Sequence, residues 1–382
     1  MPHRLSITLT ETETAAQTPS LLAVDRAISD LRRGQIVVIE DDAGALILAL
    51  AAEGATKSAI QRLKSLSNAQ PHLILSSARV NTLGLGQFKT KAVCVEMGKA
   101  LRPDLIEGLV NPLATISKND FFDITFKDVP LKNGESAAIG LAKLARLIPS
   151  CITVHLDKPD NLEDWLKSAH LLLVKTSDIF GYEETTARSL RAVSDAQVPL
   201  ADAPNTKIVA FRPADGGIEH FAIIIGTPNP QDPVLIRIHS ECFTGDLVGS
   251  LRCDCGDQLR GAIKSIAEQG SGILLYLAQE GRGIGLVNKL RAYKLQDTGV
   301  DTFDANEQLG FDADERVYLP AAQILAHLGV NKVRLMTNNP EKVSVLKACD
   351  VDVVERVEHA FATNKHNEPY IFAKATKGGH YL

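Results

Sequence analysis

Val234-Leu235-Ile236-Arg237-Ile238-His239-Ser240-Glu241-Cys242, continued by Phe243-Thr244-Gly245-Asp246 and closed by Leu251-Arg252-Cys253-Asp254-Cys255-Gly256, is the stretch around which the chain is organised. Val234 to Ile238 reads as a buried strand, and Gln258 to Ala267 has apolar positions at helical spacing. Strand, loop and helix in that order are the building unit of an α/β sheet. The loop carries three of the chain's six cysteines. Soft sulfur ligands on a strand end and the next helix start suit zinc, and a thiolate near a helix N-terminus is further favoured by the macrodipole. Two readings stay open. A structural zinc could be closed by His239, three residues before Cys242, whereas a catalytic zinc would keep its fourth position for water.

With 382 residues the chain has room for about two domains. Hydrophobic content of 45% and charged content of 23% are those of an ordinary soluble globular protein, and a net charge of −5 gives no sign of a nucleic-acid or membrane-binding surface. Met1 to Ser6 has no apolar stretch of signal-peptide length, and no run approaches the ~20 residues of a membrane helix. Isolated Cys94, Cys151 and Cys349 read as plain core residues. The cysteine pattern therefore suits metal-bound thiolates in a reducing cytoplasm better than a disulfide framework.

Working outward, residues 1 to about 18 are Thr-rich, polar and expected to be loosely ordered. Leu21 to Arg33 has helical spacing and stops at Gly34, and Gln35 to Ile39 follows as a short strand ending in Glu40-Asp41-Asp42. Helical and strand-like segments then alternate to about residue 190, as in Ile139–Leu147 followed by Cys151–Leu156. The expected fold class is α/β (α+β) in two domains, 1–193 and 194–382, with the Pro/Ala/Asp stretch Val198 to Asn205 as the boundary signal. Beyond it come strands at Lys207–Phe211 and His220–Ile225, a strand at Ile273–Leu277, a helix at Ile284–Gln296, and further alternation from about Ala321 to Val354.

Five stretches of the C-terminal half together resemble GTP cyclohydrolase II. They are Arg237 to Cys242, Leu251 to Gly256, Gln279-Glu280-Gly281-Arg282-Gly283-Ile284-Gly285-Leu286, Asn306 to Arg316, and Met336-Thr337-Asn338-Asn339-Pro340-Glu341-Lys342. The resemblance runs from about residue 195 to the end. It implies hydrolysis of GTP to a diaminopyrimidine, with loss of formate and pyrophosphate, as the first step of riboflavin biosynthesis. Water must attack carbon 8 of a stable aromatic ring, and a zinc-bound water with its pKa lowered to about 7 is suited to that. By this resemblance Cys242, Cys253 and Cys255 are the zinc ligands, Asp314 is the proton acceptor, Arg316 acts at the α-phosphate, and Tyr293 assists ring opening. An unperturbed guanidinium is protonated and a poor nucleophile, which favours charge stabilisation by Arg316 over a covalent intermediate. The same pattern assigns Arg237, Ile238, His239, Ser240, Glu241, Gln258, Glu280, Gly281, Arg282, Thr302, Thr337 and Lys342 to GTP. Magnesium is expected on the triphosphate, and a homodimer is implied.

The N-terminal half more faintly resembles 3,4-dihydroxy-2-butanone 4-phosphate synthase, through Ile36–Asp42, Ala51-Ala52-Glu53-Gly54-Ala55-Thr56 and Ser168-Ala169-His170. Its catalytic parts depart from that family. An acidic segment should follow the paired aspartates, but here stands Ala43-Gly44-Ala45-Leu46-Ile47-Leu48-Ala49-Leu50. Hard divalent cations need oxygen ligands, and this run has no side chain to supply one. A threonine-glycine-isoleucine-serine loop of that family appears only as Ala137-Ala138-Ile139-Gly140-Leu141, and Gly181-Tyr182-Glu183 lacks the family's second histidine. The half reads as a degenerate synthase, serving scaffolding, dimerisation or regulation.

Two alternatives stand beside this reading: a bifunctional enzyme that also makes dihydroxybutanone phosphate, and a non-catalytic GTP-binding regulator with a structural zinc. Each motif also has a plainer role. Glu280 to Gly285 could be a strand-to-helix turn, Tyr293 a helix residue packed beside Lys289, and Asp314 with Arg316 a surface ion pair. Thr337 to Pro340 makes a good helix start, and His170 reads as a packed or exposed histidine.

Overall fold

The computed structural model describes residues 18–97, 102–114, 124–359 and 372. Nearly all of the Thr-rich N-terminal segment lies outside these residues. Two compact units emerge. The N-terminal unit contains residues 18–182 together with Ile284–Glu315, and the C-terminal unit contains Glu183–Gly283 with residues 316–359.

The strands of the N-terminal unit are β1 (Val37–Glu40), β2 (Leu46–Ala51), β3 (His72–Ser76), β4 (Ala92–Glu96), β5 (Thr125–Asp128), β6 (Ser150–Leu156) and β7 (Leu172–Lys175). They form one sheet in the order β5-β4-β3-β6-β2-β1-β7, antiparallel except for β1 with β7. Alternation along β2 explains its unbroken apolar run. Leu46, Leu48 and Leu50 enter one core, while Ile47 and Ala49 enter another on the opposite face. The helix Thr18–Arg32 ends where Gly34 takes a φ of 71°, and Gln35 N–H closes onto Asp30 O at 2.9 Å. Ile284, Ala292, Leu295, Ala305, Leu309 and Phe311, from the later segment, complete the first of these cores.

The C-terminal unit holds β8 (Arg191–Gln197), β9 (Thr206–Arg212), β10 (His220–Ile225), β11 (Val234–Ser240), β12 (Gly272–Leu277), β13 (Lys332–Met336) and β14 (Asp352–Val357). Their order is β14-β13-β11-β12-β10-β9-β8. The first four in this order run parallel, and the remaining pairings are antiparallel. Both faces are packed: Ile236 and Ile238 face one cluster, Leu235 the other. The helix Cys255–Glu268 returns the chain from β11 to β12. The carboxyl ends of β11, β12 and β13 therefore lie along one edge, where α/β sheets place their ligands.

One sequence expectation is corrected. The stretch Val198 to Asn205 is no linker but the connection of the β8–β9 hairpin, with Val198 N–H on Thr206 O at 2.8 Å and a bridge between Leu200 and Ala203. Proline and aspartate mark tight connections inside a sheet as readily as domain boundaries. The chain instead first passes between the two units within the helix Thr176–Arg188, and does so again after Gly283 and after Glu315.

Candidate functional site

Beyond β11 the chain turns sharply through Phe243–Leu247, a single wide turn in which Asp246 N–H reaches Cys242 O at 2.7 Å. Cys242 opens that turn and Cys255 opens the helix Cys255–Glu268. The turn and the helix start bring Cys242, Cys253 and Cys255 together, with all three sulfurs within 4.8 Å of one another. Among the described residues this is the one group of three or more histidine, cysteine or acidic side chains arranged to hold a metal. Cys242 Sγ lies 3.7 Å from Cys253 Sγ. A disulfide would need about 2.05 Å, whereas two thiolates on a tetrahedral zinc at about 2.3 Å stand roughly 3.8 Å apart. The donor set fits zinc.

Gly245 reinforces that fit. A Cβ there would lie 2.8 Å from Cys253 Sγ and 3.1 Å from Cys242 Sγ, so the cradle has no room for a side chain. Gly245 N–H also donates to Cys242 Sγ at 3.3 Å. Hydrogen bonding to Cys242 and Cys253, with burial behind it, holds the Cys255 thiol well above its ordinary range. Three crowded sulfurs need a cation to ionise together.

His239, the alternative fourth ligand, is engaged elsewhere. Its Nε2 lies 3.1 Å from both carboxylate oxygens of Asp246. The Asp246 carboxylate also accepts from Cys242 N–H at 3.0 Å and from Tyr276 Oη–H at 3.0 Å. The Tyr276 ring stacks on His239 with centroids 5.6 Å apart. Burial keeps His239 below the usual histidine range, against the pull of Asp246. One buried carboxylate thus fixes the backbone of the Cys242 turn. Asp246 and Tyr276 were not singled out from sequence, although the acid at four residues past Cys242 was visible there.

Beside the sulfurs lies a cluster of buried cationic side chains. Arg237, 5% exposed, donates Nη1 to Met336 O at 2.9 Å and Nη2 to Gln258 Oε1 at 2.6 Å, while its buried Nε has no hydrogen-bond partner. Burial lowers this guanidinium to about 10, and nearby Arg316 pushes the same way. Gln258 Nε2 donates to Asp254 Oδ2 at 2.5 Å. Lys342 is buried, donates to Ile238 O at 3.1 Å, and stands 5.5 Å from the centroid of the Tyr318 ring, with Arg316 at 5.7 Å. Ile238 therefore presents its carbonyl here while its side chain stays in the core. His359, missed from sequence, shares a 3.0 Å hydrogen bond between its Nε2 and Gln258 O; burial, then Arg237, lowers it to about 4.

At the end of β12, buried Glu280 accepts Phe243 N–H at 2.6 Å and its neighbour Gly281 N–H at 2.8 Å. Gly281 and Arg282 both take left-handed backbone, with φ of 64° and 61°. Gln279, also missed, donates to Ser240 Oγ at 2.9 Å and accepts Val317 N–H at 3.3 Å. Glu241 N–H closes on Leu277 O at 2.8 Å. Thr337 Oγ1 accepts Asn339 N–H at 3.0 Å, and Asn339 caps the helix Pro340–Ala348.

The remaining site candidates belong to the N-terminal unit. Tyr293, in the helix Leu286–Gln296, has Lys289 Nζ 5.8 Å from its ring centroid. Thr302 opens the helix Thr302–Gln308 and accepts from Gln296 Nε2 at 3.2 Å. Asp314 is half-buried between Asp312 and Glu315. In the same unit Asp41 Oδ1 accepts Ala43 and Ala45 N–H, each at 2.9 Å, and Asp42 takes a hydrogen bond from Thr176 at 3.3 Å. His170 ends the helix Leu162–Ala169 with left-handed backbone, φ 52°. Cys151 is fully buried, its thiol pushed up to about 12, and Cys94 and Cys349 are half-buried.

A triad of sulfurs that could hold a metal stands beside buried cations suited to an anionic ligand, at the carboxyl edge of a mixed sheet. Residues 191–358 match the family model of GTP cyclohydrolase II. The chain is 50% identical to the GTP cyclohydrolase-2 of Azospirillum brasilense over 362 residues, covering 94% of each protein. It is 35% identical to the riboflavin biosynthesis protein RibBA of a Synechocystis strain, over 94% of this chain and 71% of that one. Among solved structures, RibBX of A. baumannii, a two-domain 3,4-dihydroxy-2-butanone 4-phosphate synthase, aligns over 89% of this chain and 99% of its own at 16% identity and a TM-score of 0.37. The chain belongs to the GTP cyclohydrolase II family.

Proposed function

We propose that the protein hydrolyses GTP to 2,5-diamino-6-(5-phosphoribosylamino)pyrimidin-4(3H)-one, releasing formate and pyrophosphate at the opening of riboflavin biosynthesis. The observation that carries this is the sulfur triad of Cys242, Cys253 and Cys255 set beside the buried Arg237 and Lys342. When bound to the three sulfurs, zinc supplies the Lewis acidity that makes water a competent nucleophile near neutral pH. Engagement of His239 by Asp246 supports a zinc left open to water over one closed by histidine. Asp246 holds the Cys242 turn still through its three hydrogen bonds. Arg237, Lys342 and Arg282 attract the triphosphate, which carries magnesium with it. The unpartnered Nε of Arg237 is a donor available to that anion. The family pattern assigns Ser240, Gln258, Glu241, Glu280 and Thr337 to GTP. Following the family pattern, Asp314 accepts a proton, Arg316 stabilises charge at the α-phosphate as pyrophosphate leaves, and Tyr293 assists ring opening.

The N-terminal half, on this reading, is a synthase that has lost its chemistry. Asp41 and Asp42 hold a turn and a neighbouring hydroxyl, and β2 behind them is wholly buried and apolar. A thiol-borne metal site suits a reducing compartment, so we assign the protein to the cytoplasm, acting as a homodimer. No helix among the described residues is long and apolar enough to cross a membrane. The test is direct. Purified protein given GTP, zinc and magnesium is expected to release formate and pyrophosphate in equal amounts, and to make no dihydroxybutanone phosphate from ribulose 5-phosphate. Absence of formate would sink the proposal.

A further inference from the structure

Lys143 stands on the helix Gly134–Leu144 of the N-terminal half, and its Nζ is 2.6 Å from Glu315 Oε1 and 3.2 Å from Asp312 Oδ2. Glu315 Oε1 in turn accepts Asp312 N–H at 2.6 Å. The two carboxylates that flank Asp314 in sequence are thereby tied to one ammonium group. Lys143 and Glu315 are 18% and 21% exposed, so this pair is shielded from salt. Lys91 reaches Asp312 at 3.0 Å, but with 64% and 44% exposure that contact is a weak surface pair. Burial works to raise the Asp312 carboxyl, and Lys143 with Lys91 outweighs it, leaving the group below its ordinary range.

The clamp is the end of a longer seam. Arg79, 4% exposed, donates Nη1 to Gln308 O at 3.0 Å and Nε to Leu109 O at 2.9 Å. Gly310 has a φ of 89°, and a Cβ there would meet Ser76 Oγ at 2.7 Å. Phe311 is 1% exposed in the core beneath β2 and β3. Upstream, Arg291 donates to Glu53 Oε1 at 2.5 Å and Asn288 to Arg146 O at 2.9 Å. None of these N-terminal residues is explained by the lost synthase chemistry, and all of them grip residues 284–315.

We infer that the N-terminal half serves the GTP reaction as the anchor of residues 284–315, with Lys143 as a positioning residue that fixes the backbone carrying Asp314. This rests on the proposed role of Asp314. Between Phe311 and Leu319 no helix or strand holds the chain, so side-chain ties must set its course. A proton acceptor displaced by about 1 Å costs on the order of 100-fold in rate while ground-state binding stays largely intact.

Steady-state formate release by the full-length zinc protein tests it, comparing wild type with Lys143→Met and Lys143→Arg. Lys167→Met, which removes only an exposed pair with Glu163, is the control and should match wild type. Lys143→Met is expected to lower kcat by about 10- to 100-fold with KM for GTP changed less than about threefold, zinc content and melting temperature held, and Lys143→Arg recovering most of the rate. A Lys143→Met kcat within about twofold of wild type overturns the inference, as does a loss seen equally in Lys143→Arg. Should Lys143→Met fail to fold, Glu315→Gln breaks the same pair from the other side and is judged by the same kcat and KM criteria. Wild type that releases no formate overturns the proposed function itself, whereas an active wild type with an unaffected variant overturns only the clamp.

Discussion

Gly245 sits where the sulfurs converge, and its missing side chain leaves them room to share a metal. Gly245→Ala should leave the chain folded, because the backbone there is not left-handed, yet push a methyl to 2.8 Å from Cys253 Sγ. We expect the variant to lose most of its zinc by elemental analysis, together with formate release. Cys253→Ser should do the same, and dialysis against a strong chelator should abolish activity until zinc is restored. His359 gives a pH signature. Its pKa of about 4 lies below the unfolded value of about 6.5, so the unfolded chain binds the extra proton first and stability falls as pH drops through that window. At about 1.4 kcal/mol per unit the loss is at most about 3 kcal/mol, measurable as a urea midpoint at pH 7.5 and 5 that shifts less in His359→Gln. The three cysteines were legible because their chemistry resides in residue type and close spacing. His359 was not, since its partner Gln258 is 101 residues away and a lone histidine carries no periodic signal.

At the scale of elements, β11 and β12 were legible because strands packed on both faces are nearly continuous apolar runs. The hairpin at 198–205 was misread because proline, alanine and aspartate describe a turn without saying what it joins. The segment 284–315 shows a different limit. Its helical spacing announced an apolar face, but spacing is silent on which neighbour covers it, and the resemblance of these residues to the cyclohydrolase family pointed only to the C-terminal half. The core that Phe311 enters is built from Leu73, Leu105 and Leu109. Phe311→Ala should therefore destabilise the N-terminal unit by about 3–5 kcal/mol, read as an earlier first transition in denaturant.

For the whole molecule, the division into units fixes what a truncation can test. A fragment beginning at residue 195 would cut β8 in mid-strand, whereas one beginning at Arg191 keeps the sheet whole. Even the longer fragment, 191–382, uncovers Ile284, Ala292, Leu295, Leu309 and Phe311, which are buried in the intact protein. Such a contiguous apolar surface invites association. We expect the fragment to bind a hydrophobic dye, to aggregate on concentration, and to release formate far more slowly than the full chain. A monodisperse fragment with full activity would refute this expectation.

The seam along residues 284–315 also bears on how such a chain can change over generations. A deletion of the first half would strip the cover from Phe311 and the ammonium group from Glu315. Selection for the proposed GTP reaction alone would then be enough to retain the first half. On the proposed anchoring role, Arg79, Lys143 and Glu53 would be retained for their contacts with residues 284–315.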